Sequence, residues 1–112
     1  MQLSYPVAPG AKAPVALVTG ASRRSGIGAA TCRLLAESGV SVFFTGWSPF
    51  DASIASGIDA EGPDALLQEI LDLGAMGGWI EADLADPAAP AGIFHAAESV
   101  LGPVSILVNN AA

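Results

Sequence analysis

The chain has 112 residues, 52% of them apolar, with 11 acidic and four basic residues and a formal net charge of -7. That length allows one domain at most, the apolar share excludes a disordered tail, and the acidic balance argues against nucleic acid as a general partner. Only 13% of residues are charged, which is sparse for a free-standing domain and implies that much of the surface is normally covered.

Cys32 is the single cysteine, so no intramolecular disulfide forms and a reducing compartment fits. The N-terminus has neither a basic segment nor an apolar core of the signal-peptide kind, and no apolar run reaches the roughly 18 residues a membrane helix needs. A cytoplasmic location and no membrane partner are expected.

Residues 1–13 carry Pro6, Pro9 and Gly10 without periodicity and read as a mobile leader. Pro14 can begin an edge but not continue a central strand, so the first strand is predicted at about 15–19. Its apolar run, Val15-Ala16-Leu17-Val18, stops at Thr19-Gly20, and Gly26-Ile27-Gly28 then opens a helical pattern. A strand, a glycine-rich turn and a helix start form the arrangement that cradles a dinucleotide pyrophosphate. The helix's unpaired N–H groups point at the anion, and glycine lets the backbone come close. Of the four basic residues (Lys12, Arg23, Arg24 and Arg33), two lie inside this loop. A phosphate is the obvious reason for an acidic chain to concentrate positive charge there.

The first helix is predicted over 26–38, with Ile27, Ala30, Thr31, Leu34 and Leu35 on one inward face and Gly39 as its terminator. Residues 40–45 make an apolar second strand, and 46–61 a long loop without a period. Pro63 suits the first turn of a second helix; Leu66, Leu67, Ile70, Leu71 and Leu73 supply its buried stripe, and Gly74 closes it. A short third strand over 78–82 ends at Asp83-Leu84. Asp86-Pro87 reads as an N-cap followed by proline, opening a helix to about Leu101 that carries Ile93, Phe94, Ala97, Val100 and Leu101 inward. Gly102-Pro103 stops it, residues 104–108 form strand four, and the chain finishes at Asn109-Asn110-Ala111-Ala112. Such alternation implies a parallel sheet with right-handed crossovers, and the near-continuous apolar strands expect cover on both faces.

Thr19-Gly20 with Gly26-Ile27-Gly28, then Asp83-Leu84, then Asn109-Asn110-Ala111-Ala112 fall in order at strand ends and a helix start. In this the chain resembles the short-chain dehydrogenase/reductase family over residues 14–112. The family's pattern is T-G-x-x-x-G-x-G, an aspartate after strand three and N-N-A-G after strand four. Here five residues separate Gly20 from Gly26 where the family has three, and Ala112 replaces the last glycine. The G-x-G-x-x-G fingerprint fails because Thr31 stands where its last glycine would be, and a P-loop fails because Ile27 follows Gly26 where lysine is required.

The resemblance implies an α/β fold, a Rossmann-type parallel sheet in strand order 3-2-1-4 flanked by helices and incomplete at the strand-four edge. Residues 14–112 would then be a dinucleotide-binding half-domain. It places Gly20, Ser22, Arg23, Arg24 and Ile27 along the pyrophosphate and adenosine ribose, with Gly26 and Gly28 in the turn itself. It places Asp83 and Leu84 at the adenine, and Asn110 and Ala111 beside the ribose nearest the nicotinamide. An acid at the end of strand two would select NAD; that end is Thr45-Gly46-Trp47, and Arg23 and Arg24 supply charge suited to a 2′-phosphate, so NADP is preferred over NAD. Trp47 either stacks on the adenine or caps the core.

In the family a serine and a Tyr-x-x-x-Lys pair carry out hydride-coupled proton transfer on a carbonyl or alcohol. This chain's one tyrosine and one lysine are Tyr5 and Lys12, both in the leader. The expectation is therefore the cofactor-binding half of an NADP-dependent oxidoreductase, a fragment without catalytic residues or metal ligands, and homo-oligomeric through its open edge. The alternative is a non-catalytic nucleotide-binding or interaction module.

Plainer roles stand beside these. Arg23 and Arg24 are phosphate ligands or solvated loop charges; Asp83 is an adenine contact or a strand-end cap. One of Asn109 and Asn110 ties strands together. Asp86 is a helix cap, His95 structural and Cys32 a small helix residue. Asp59, Glu61 and Asp64 match no ligand spacing.

Overall fold

The computed structural model describes residues 13–21, 26–47 and 61–110. The expected leader apart from Ala13, and most of the long loop, lie outside the described residues. The elements are β1 (Val15–Val18), α1 (Ile27–Glu37), β2 (Ser41–Gly46), α2 (Gly62–Asp72), β3 (Gly77–Glu81), α3 (Ala89–Leu101) and β4 (Ile106–Val108). The four strands pair in parallel in the order β3-β2-β1-β4, which is the expected order. No helix among the described residues is long and apolar enough to cross a membrane.

The strands are apolar on both faces because both are packed. Side chains alternate across a strand, so Val18, Val42 and Phe44 meet Ala29, Cys32, Leu66 and Ile70 of α1 and α2 on one side. Leu17 and Phe43 meet Ile93 and Ala97 of α3 on the other. Leu66 and Ile70 are fully buried, so truncating either to alanine costs about 2–5 kcal/mol. Trp79 of β3 stacks on Phe44, with ring centroids 6.1 Å apart, and its Nε1–H donates to Asp64 Oδ1 at 3.1 Å, tying β3 to α2. The Arg33 guanidinium donates to the Glu69 carboxylate, linking α1 to α2. Each helix is followed by a glycine of positive φ: Gly39, Gly74 and Gly102, a backbone state that glycine adopts without a side-chain clash.

The packed faces differ from the expected ones in three places. On α1 the buried residues are Gly28, Ala29, Cys32 and Ala36, while Ile27 is 77% exposed, Ala30 is exposed and Thr31, Leu34 and Leu35 are half-buried. Small side chains let the helix lie close against the sheet, so the contact line runs through them and the larger residues flank it. On α2, Leu71 and Leu73 are exposed: Leu73 lies beyond the last turn as the C-cap, and Leu71 points off the Leu66–Ile70 line. On α3, Phe94 and Val100 are exposed. Val100 lies over Gly78 of β3, where an added Cβ would stand 3.5 Å from its Cγ1; the bare glycine gives it little to pack against. α3 also starts later than expected. Asp86 is not its N-cap, because its Oδ1 accepts the Ala88 N–H at 2.9 Å in a preceding turn and Ala88 holds the cap position.

Candidate functional site

Parallel strands bring their C-terminal ends to one rim of the sheet, so the residues after β1, β2, β3 and β4 are neighbours although far apart in sequence. The first two motif stations that meet there are Thr19-Gly20 and Asn110. The Thr19 N–H donates to the Val108 carbonyl at 3.1 Å, extending the β1–β4 seam by one residue. Thr19 Oγ1 then accepts the Asn110 N–H at 3.0 Å, and Asn110 Nδ2 donates to the Gly20 carbonyl at 3.0 Å. Asn110 is thus bonded through both backbone and side chain to the turn that follows β1. Of the two asparagines, it is Asn110 that ties the strands.

Gly20 has φ of +71°, a backbone state that L side chains rarely adopt. It swings the chain off the strand and toward α1. The N-cap of α1 is Gly26, extended at φ -83° and ψ 165°, with no side-chain cap and no acidic residue in the first turn. Gly26 itself brings no side chain to the helix's leading N–H groups, which lie at the positive end of its dipole, where an anion is favoured. Gly28 is where helix and turn touch. A Cβ there would lie 2.6 Å from the Gly20 oxygen, 2.8 Å from Asn110 Nδ2 and 3.0 Å from the Ala21 Cα. No side chain larger than hydrogen fits while those three stay in place. The described residues thus fit a ligand carrying phosphates: close backbone, a helix N-terminus whose cap residue has no side chain, and no carboxylate in the helix's first turn.

The rest of the rim is more loosely specified. Trp47, one residue past β2, is half-buried. Asp83 and Leu84 follow β3; Leu84 is 40% exposed, and Asp83 Oδ1 accepts the Ala85 N–H at 2.9 Å, so this carboxylate also shapes the turn after the strand. Ile27 offers an exposed apolar side chain at the first residue of α1. Ser22, Arg23, Arg24 and Ala111, expected in the site, lie outside the described residues, as do Tyr5 and Lys12. His95 is exposed on α3, where its carbonyl accepts the Ser99 hydroxyl. Cys32 is buried on the sheet-facing side of α1, and burial pushes its thiol up to about 12, which makes it an inert packing group.

Two threonines matter more than the sequence suggested. Thr19 and Thr45 are buried, at 5% and 1% exposure, and each bonds the glycine turn or its partner. The available signal was a hydroxyl residue at the C-terminal end of an otherwise apolar strand, where a buried polar group must have a partner.

The family model described as short chain dehydrogenase matches residues 14–112. The chain is 40% identical over 98 residues to the uncharacterized oxidoreductase YjdA of Bacillus subtilis, covering 88% of this chain and 36% of that protein. The solved short-chain dehydrogenase/reductase from Serratia marcescens superposes with a TM-score of 0.72 at 36% identity, over 90% of this chain and 36% of that one. Actinorhodin polyketide ketoreductase, solved with NADPH, gives 0.70 at 31% identity, over 89% and 33%. The chain spans about a third of the length of these relatives. With the match running through every strand and helix described above, this chain belongs to the short-chain dehydrogenase family.

Proposed function

We propose that this chain binds a nicotinamide dinucleotide at the turn between β1 and α1. On this reading it is the cofactor-binding half of an oxidoreductase acting on a carbonyl or alcohol. The observation that carries the reading is the glycine-capped N-terminus of α1 set against the positive-φ Gly20, with Gly28 leaving no side chain between them. Bound there, the dinucleotide supplies hydride chemistry. The chain's own residues hold and orient it: α1 offers N–H groups to the pyrophosphate, Asn110 fixes the turn from β4, and Asp83 and Leu84 border the adenine. Residues 13–112 contain no tyrosine and no lysine, so the chain by itself is expected to bind the nucleotide without turning over substrate.

NADP is the preferred form. β2 runs out into Gly46 and Trp47 with no acid to accept a ribose 2′-hydroxyl, while Arg23 and Arg24 are placed by sequence to meet a 2′-phosphate. The relative solved with NADPH fits this preference. Titration of the chain with NADPH and NADH, read by quenching of its tryptophans, tests it. NADPH is expected to bind about tenfold more tightly, and replacing Arg23 and Arg24 together should erase the difference. Equal affinities in the unsubstituted chain would refute the NADP assignment, and no binding of either would refute the site.

Self-association belongs to the same proposal. β4 lies at an edge of the sheet, and Leu107 is 51% exposed on the face that α3 covers only in part, so backbone and apolar surface there favour a second copy. A monomer by light scattering at high concentration would count against it.

A further inference from the structure

We propose that Thr45 is a positioning residue for the dinucleotide, holding the phosphate turn in shape from the neighbouring strand. The inference rests on the dinucleotide reading of that turn and names the group that sets its geometry. Thr45 lies near the end of β2 and is 1% exposed. Its carbonyl accepts the Ala21 N–H at 2.8 Å, and its Oγ1 accepts the Gly20 N–H at 3.4 Å. The β1–β2 ladder has already finished at the Val18–Phe44 pair, so on that side Thr45 serves the turn and not a strand. On its other side it remains paired with Ile80 of β3 and is therefore held rigidly.

Two consequences follow from these bonds. Two successive N–H groups of the turn, those of Gly20 and Ala21, are directed back into the protein and are not donors to a phosphate. The left-handed Gly20 is also braced from both flanks: Asn110 holds its carbonyl and Thr45 its N–H.

The test is the isosteric Thr45→Val, with Thr45→Ser as the conservative variant. Binding is measured for NADPH and for adenosine, which lacks both the pyrophosphate and the 2′-phosphate that the turn is proposed to meet. The expected result is about fivefold weaker NADPH binding in the valine variant, recovery in the serine variant, and little change for adenosine. Unchanged NADPH binding, an equal loss for both ligands, or no recovery with serine would overturn the proposal. Should the valine variant fail to fold, amide exchange in the unsubstituted chain decides. Protection of both Gly20 and Ala21 supports the brace, and rapid exchange of both removes it. Failure of the unsubstituted chain to bind NADPH or NADH would be a different result, removing the dinucleotide reading and this inference with it.

Discussion

Gly28→Ala puts one methyl group into the contact between helix and turn. Its carbon would start 2.6 Å from the Gly20 carbonyl oxygen, against the 3.4 Å at which ordinary contact begins, so the start of α1 must retreat by about 0.8 Å or the turn must move. Neither yields easily, since two of the three nearest atoms are backbone and the third is the Asn110 amide that bonds Gly20. Overpacking of this kind costs about 1–3 kcal/mol, and the better helix propensity of alanine returns about 1 kcal/mol. A net loss of up to about 2 kcal/mol lowers the Tm of a domain this size by up to roughly 10 °C. Gly92 of α3 is the control: nothing lies within 4 Å of its added Cβ, so Gly92→Ala should gain up to about 1 kcal/mol. Thermal unfolding of both variants, with NADPH titration of each, separates the cases. Gly28→Ala should lose stability and affinity together, and Gly92→Ala neither. A Gly28→Ala protein as stable as Gly92→Ala would refute the claim that helix and turn are in contact there.

Asn110→Asp replaces the donor facing the Gly20 oxygen with an acceptor, at a separation of 3.0 Å. It should cost about 1–3 kcal/mol and exceed the loss from Asn110→Ala, as measured by urea denaturation near neutral pH; no loss in either variant would show that the side-chain bond carries no weight. Cys32 predicts an alkaline instability. Burial raises its thiol from 9.0 to about 12. Below about pH 9 the thiol is protonated in both folded and unfolded chains and contributes nothing; from there to about pH 12 only the unfolded chain ionises, so stability falls with rising pH by about 1.4 kcal/mol per unit. Denaturation at about pH 8 and about pH 10.5 should show a shallower decline for Cys32→Ala than for the unsubstituted chain, and parallel declines would contradict the assignment.

The element order was legible because each element carries its own local signal. Val15 to Val18 is too short and too apolar for anything but a buried strand, and Gly39, Gly74 and Gly102 mark helix ends through a backbone state that needs no tertiary partner. The motif stations were legible for the same reason, being runs of adjacent residues at element ends. Helix faces were less so. Periodicity ranks side chains by hydrophobicity, whereas α1 is seated by size, with Gly28, Ala29, Cys32 and Ala36 against the sheet and Ile27 turned out. Asp86 looked like a cap, yet its carboxylate closes a turn that ends at Ala88, before the helix begins.

Sequence alone determined the succession of strands and helices, the glycine turn and the strand order that its family resemblance implies. Only the tertiary structure decided that Asn110 and Thr45, 65 positions apart in sequence, brace one glycine from opposite sides. The physical reason is that β1 lies between β2 and β4. Hydrogen bonds between strand ends depend on which strands are neighbours and in what register, and those distances exist only once the sheet has assembled.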